Sequence, residues 1–194
     1  MVQKLINFTI RNFPIKMDAL LWAIRLVIYI LPSYFANAVP VVLGGGEPID
    51  SGRKLSDGSP VLGEGKTVRG FFAGIASALL VGALQALLLP GNQWDIYPGS
   101  PASYVQAGLL LGAGTMVGDL AGSFIKRRQG IVRGKPSFIL DQLMFFAFAL
   151  AFSYPVAGQL LSLEAVAFLA VLTYFVHAGA NVLANRLGLK SVPW

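Results

Sequence analysis

The chain contains no cysteine, a single histidine and only nine acidic residues among 194. Without thiols, disulfides, thiolate metal centres and cysteine nucleophiles are excluded, and the redox compartment stays open. Charge of either sign is scarce: Asp, Glu, Lys and Arg make up 12% of the residues against 55% hydrophobic, with a mean hydropathy of +0.66. So little charge cannot cover an ordinary globular surface, and the composition is that of an integral membrane protein. A soluble domain, a long linker, a low-complexity tract and a convincing internal repeat are also missing. The net charge of +6 does not mark a nucleic-acid binder. The basic residues gather in two loops beside apolar segments, not along a soluble face.

What is present is length and apolarity in the right blocks. A bilayer core needs about 20 mostly apolar residues per helix, and the hydropathy pattern predicts about five such helices, over 18–43, 70–89, 102–124, 138–161 and 163–187. The whole chain, 1–194, reads as one all-α transmembrane domain. Pro32 and Pro40 in the first helix, and Pro155 in the fourth, remove backbone donors and are expected to kink or end their helices early. Ala36-Asn37-Ala38 has the look of a signal-peptide cleavage site, but Arg25 interrupts the would-be signal core and the apolar run continues to Leu43. A retained first helix is expected instead.

Loop charge sets the expected orientation. The connection 44–69 holds Arg53, Lys54, Lys66 and Arg69; the connection 126–135 holds Lys126, Arg127, Arg128, Arg133 and Lys135; the connection 90–101 holds no basic residue. The positive-inside rule therefore puts the two basic loops and the C-terminus, with Arg186 and Lys190, in the cytoplasm, and the Trp94 loop and the N-terminus outside. Lys4, Arg11 and Lys16 then fall on the outer side, where 2–15 is expected to lie as an interfacial segment. Small residues recur at four-residue spacing, as in Gly114, Gly118 and Gly122 or Gly70, Gly74, Ala78 and Gly82, a pattern that lets membrane helices approach closely.

Two acids stand out against this background. Asp119 lies near the end of the third apolar segment and Asp141 near the start of the fourth, with the second basic loop between them. A carboxylate at the middle of a membrane helix costs roughly 2.5–3.5 kcal/mol, so such acids face a cavity or a partner. Two carboxylates suit Mg2+, which takes oxygen ligands and keeps waters or substrate phosphates in its other positions. Asp119, Ser123 and Lys126 share one helical face if the third helix runs that far. The bland alternative is a structural ion network with the loop cations.

In the first basic loop, Gly65-Lys66-Thr67-Val68-Arg69-Gly70 leads directly into the second helix, where Lys66 and Arg69 would add charge to a helix N-terminus and favour phosphate. It is not a P-loop, because Pro60 stands where the first glycine belongs and a membrane span follows. Asp50 and Asp57 in the same loop read as solvated, while Glu64 beside Lys66 is harder to dismiss. His177 and Asn181 share one face of the last helix and read first as packing groups. Asn37 and Arg25 read as interior groups, the arginine needing a carboxylate or carbonyl partner.

The run Gly65 to Gly74, with Gly118-Asp119, Ser123, Lys126-Arg127, Lys135-Pro136 and Asp141, resembles the archaeal CDP-archaeol synthases, relatives of the CDP-diacylglycerol synthases. The likeness extends over most of the chain, from Leu31-Pro32-Ser33-Tyr34 to Pro193-Trp194. It departs from the wider signature in Gln129 and Gly130 after the basic run, in Ser137 to Leu140 before Asp141, and in Gln142 where that signature has arginine. The resemblance implies a cytidylyltransferase that joins CTP to 2,3-di-O-geranylgeranylglycerol 1-phosphate, releasing pyrophosphate. It further implies Asp119 and Asp141 as Mg2+ ligands, and Lys66, Arg69, Lys126, Arg127 and Lys135 as triphosphate contacts with the hydroxyls of Thr67 and Ser123. The rivals are CDP-alcohol phosphatidyltransfer, which needs a denser aspartate motif, and ion or anion transport along Arg25, Asp119 and His177. Oligomeric state is not legible in the sequence.

Overall fold

Two prolines fail to stop the first helix, and the reason lies in its neighbours. The computed structural model describes residues 17–132, 135, 137–189 and 191–192. The expected interfacial segment 2–15, and Arg133, Pro136, Lys190, Pro193 and Trp194, lie outside the described residues. Helix α1, Met17–Leu43, runs on through Pro32 and Pro40. Each proline leaves the carbonyl four residues earlier without its helical donor. The Ile28 carbonyl freed by Pro32 accepts from Gln85 Nε2 at 2.7 Å, and the Ala36 carbonyl freed by Pro40 faces Gly74, where an added Cβ would come within 2.8 Å of it. Gln85 thus restores at Ile28 the donor that Pro32 removes, as a membrane interior demands.

Four further helices follow: α2 (Val68–Leu88), α3 (Pro101–Arg128), α4 (Phe138–Ala157) and α5 (Leu163–Arg186). All five helices are long and apolar enough to cross a membrane. Among the described residues there is no strand, only isolated bridges pairing Pro48 with Thr67 and Lys54 with Pro60 inside the first loop. Here Pro155 does act as expected: α4 ends at Ala157 and passes into a 3-10 turn, Gly158–Leu160.

The third helix is longer than its apolar stretch suggests. It carries Lys126, Arg127 and Arg128 in its last turn, where cations favour the negative end of the helix dipole. Gly130, at φ 69°, then closes it in a Schellman motif: its N–H reaches Arg127 O at 3.2 Å and that of Ile131 reaches Lys126 O at 3.0 Å.

The glycine stripes lock α3 to its neighbours. A Cβ on Gly114 or Gly118 would stand 2.4 or 2.5 Å from a carbonyl oxygen of α4, and one on Gly108 would stand 2.8 Å from Ala78 O of α2. Hydroxyl pairs then fix α1 to the rest, the buried Tyr29 to Ser153 at 2.6 Å and Ser33 to Thr115 at 2.6 Å, and the half-buried Tyr34 to Thr173 at 2.9 Å. At the Trp94 end, Arg25 donates to Gln93 O at 2.9 Å, the carbonyl partner it needs. Asp95 organises that loop by accepting from Gly91 N, Tyr97 N and Tyr104 Oη. Helix α5 is the exception. Its buried residues are Ala165, Leu169 and Thr173, all in its first half, and no described residue over 174–186 is buried.

Candidate active site

The first loop ends by capping α2. Thr67 Oγ1 accepts from Gly70 N at 3.2 Å, which fixes the chain one residue after Lys66. The loop itself is held by Asp50, which corrects the expectation that this acid is solvated. Its carboxylate is only 9% exposed and accepts from Leu62 N at 2.8 Å, Gly63 N at 3.0 Å and Gly52 N at 3.1 Å. Burial opposes ionisation there, but the amides of Gly63, Leu62 and Gly52 outweigh it and hold the carboxyl below the usual range. Asp57, by contrast, is exposed as expected.

Lys66 is thereby aimed at α3. Its Nζ donates to both oxygens of Asp119, at 2.7 and 2.6 Å. Two turns further along α3, Lys126 donates to Oδ1 of Asp141, whose Oδ2 accepts from Ser137 N at 2.9 Å at the start of α4. Both pairs line one cavity of about 470 Å3, together with Thr67 and Lys135. The paired side chains are 15–29% exposed, open enough for exchange and shielded enough for charge to matter. Asn37, His177 and Asn181 belong to the same lining. Asn37 Nδ2 lies 3.3 Å from His177 Nδ1, and the imidazole stacks on Phe145 with centroids 5.7 Å apart. The four-residue spacing of His177 and Asn181 was the signal for this face, although packing was the expected role.

The candidate set from the sequence therefore divides. Lys66, Thr67, Asp119, Lys126, Lys135 and Asp141 come together on the cavity, whereas Arg69, Ser123 and Arg127 are not among its lining residues. Arg69 donates to Gly44 O through Nε at 3.0 Å, and Arg127 bonds the carbonyls of Leu62 and Ile131. Arg128 bonds Pro60 O and stands over the Phe124 ring. These arginines brace backbone; Ser123 is buried at 3% exposure. Arginine's fixed fork suits carbonyls that must be held, and lysine's single mobile ammonium suits a group that must be released.

The donor set fits magnesium. Two carboxylates share the cavity, the chain has no thiol, and among the described residues no group of three or more His, Cys, Asp or Glu side chains is placed to cage an ion. An ion held there would draw its remaining ligands from phosphate and water, as magnesium commonly does.

Residues 17–194 match the family model described as CarS-like, CDP-archaeol synthase. The chain belongs to the CDP-archaeol synthase family. It is therefore an enzyme of nucleotidyltransferase type, and a membrane protein of archaeal lipid biosynthesis. It is 50% identical over 182 residues to the CDP-archaeol synthase of Thermococcus gammatolerans, covering 92% of this chain and 98% of the relative. Against that of Methanocaldococcus jannaschii it is 44% identical over 169 residues, covering 86% and 94%. A solved structure described as an intramembrane enzyme for archaeal membrane lipids biosynthesis superposes with a TM-score of 0.70 at 38% identity, covering 80% of this chain and 92% of that one. CDP-archaeol synthases thus supply the family frame for the cavity, and the all-helical transmembrane architecture agrees with the sequence expectation.

Proposed function

We propose that this family member transfers the cytidylyl group of CTP to 2,3-di-O-geranylgeranylglycerol 1-phosphate, and that Asp119 and Asp141 would hold Mg2+. The observation that carries the reading is the convergence of two aspartates and three lysines on one cavity at one end of an otherwise apolar bundle. A phosphate oxygen of the lipid attacks the α-phosphorus of CTP, the bond from that phosphorus to the bridging oxygen of the β-phosphate breaks, and pyrophosphate leaves. The nucleophile is already an anion near neutral pH, so no strong general base is required. The barrier is the approach of two anions, and it falls when cations neutralise and position them. Lys66, Lys126 and Lys135 neutralise and align the triphosphate oxygens. The ion, when bound, supplies further charge neutralisation and in-line alignment.

The lipid reaches this chemistry from the side. No described residue in the second half of α5 is fully buried, and its His177 and Asn181 line the cavity beside Asn37 of α1. The glycerol phosphate enters between α1 and α5, and the isoprenoid chains remain in the bilayer. The positive-inside pattern of the two basic loops puts this end in the cytoplasm, where CTP is found.

Purified protein in detergent is expected to release pyrophosphate from CTP only when Mg2+ and the archaeal lipid phosphate are both present. Turnover of CDP-lipid with an alcohol, and none of CTP, would favour phosphatidyltransfer. Ion flux in liposomes without turnover would favour transport.

A further inference from the structure

The same lysines that suit a triphosphate are bound to the acids that suit the metal. We infer that Lys66 and Lys126 act as plugs on Asp119 and Asp141, so that divalent ion and nucleotide load as one unit. The inference rests on the reading of those aspartates as metal ligands.

Geometry makes the two occupants exclusive. Lys66 Nζ sits 2.7 and 2.6 Å from the two oxygens of Asp119, the oxygens that would serve an ion held there. Asp141 is covered in part, Oδ1 by the Lys126 ammonium, while Oδ2 accepts from the main-chain Ser137 N. An ion that used both oxygens of Asp119, or Oδ1 of Asp141, would have to displace an ammonium. In the absence of nucleotide, that ammonium has a poor alternative. The lining holds Lys66, Lys126 and Lys135 against Asp119 and Asp141, so it is already net positive, and an ion alone drives it further. Removing one partner from a shielded ion pair also leaves a charge uncompensated. A triphosphate changes the balance: each released ammonium finds a phosphate oxygen, and the ion finds its missing ligands there as well. Lysine swings on a flexible stem, so the exchange needs rotamer changes and no movement of the backbone.

The signature is a change of opposite sign for two ligands on one substitution. Calorimetry on the full chain in detergent would measure Mn2+ alone and, separately, Mg·CTP. Lys66→Met is expected to tighten Mn2+ alone by about tenfold or more and to weaken Mg·CTP by about tenfold or more, within the usual range of coupling between two ligands. Lys126→Met should change both in the same directions. Lys66→Arg keeps a cation on Asp119 and should leave Mn2+ binding low. Lys135→Met removes the same charge from the same lining without opening either carboxylate, and should change Mn2+ affinity by at most about threefold, the scale of a partly solvated charge. Adding Asp119→Asn to Lys66→Met should abolish the gain.

Unchanged or weaker Mn2+ binding in Lys66→Met overturns the plug, as does an equal gain in Lys135→Met. Wild-type turnover of CTP is read independently. If it persists while the Mn2+ gain is missing, the plug is wrong and the cytidylyltransferase reading stands; if turnover is absent while the gain appears, the reverse holds.

Discussion

Asp50 and Asp95 are held by backbone amides and a phenol, whereas lysine ammoniums hold Asp119 and cover one oxygen of Asp141. The first two shape loops at opposite ends of the bundle, one below α2 and one above α3. Their donors belong to the main chain or to the buried Tyr104, so replacing them means refolding the loop. The lysine donors on the other two can swing away, while the Ser137 amide stays on Asp141. The comparison teaches that an acid in a membrane enzyme declares its role by what holds it: fixed donors build, mobile cations wait to be exchanged.

The most severe way to test this contrast is to neutralise all four acids in turn. Asp119→Asn and Asp141→Asn are each expected to cut pyrophosphate release by at least about a hundredfold, the scale of losing a charge-stabilising group at the reacting centre. Both variants should still unfold cooperatively in detergent, so that the loss is not one of fold. Asp95→Asn should do the opposite, losing about 1–3 kcal/mol of stability, as for a buried partner left unsatisfied, with kcat unchanged. If Asp95→Asn were as inactive as Asp119→Asn and equally stable, the distinction between the two kinds of acid would be gone.

Asp50→Asn sharpens the comparison, because Asp50 shapes the loop that presents Lys66. It is expected to raise the KM for CTP more than it lowers kcat. Acid provides the matching stability test. The carboxyls of Asp50 and Asp95 are depressed against the opposing effect of burial, chiefly by the amides of Gly63 and Leu62 for the first and by Gly91 N and Tyr104 Oη for the second. A depressed folded value means that their stabilisation is fully present above the ordinary carboxylate value near 4 and is lost as pH falls through the lower folded value. Thermal melts between neutral and acidic pH should show that loss in the wild type and less of it in the asparagine variants.

The smallest effect concerns the lipid side. His177→Ala and Asn181→Ala should raise the KM for the lipid phosphate several-fold, about 1 kcal/mol for a lost neutral hydrogen bond, and leave the KM for CTP near its wild-type value. A kcat loss as deep as that of Asp119→Asn would assign His177 to the chemistry instead.

How far the sequence could be read follows the same division. Five helices, the close-packing glycines and the need of Arg25 for a carboxylate or carbonyl partner were legible because periodicity, small-residue spacing and the cost of an unpaired guanidinium are local signals, although Arg25 is half-buried and not in the interior. The persistence of α1 beyond Pro32 was not, since the donor that repairs it is Gln85, on another helix. The burial of Asp50 was also missed, although Asp50 followed by Gly52 carries the marks of an Asx turn. At the site, residue types suggested phosphate chemistry but did not tell lysine from arginine. That sorting depends on which carbonyls the folded loops leave within reach, and Gly44, Leu62 and Pro60 took the arginines.

The measurement that bears most directly on the account is a structure of the enzyme with Mg2+ and a non-reactive CTP analogue. The account predicts an ion ligated by oxygens of both Asp119 and Asp141, with Lys66 and Lys126 moved onto the triphosphate. An ion held by phosphates alone, with both lysines still on their aspartates, would contradict it.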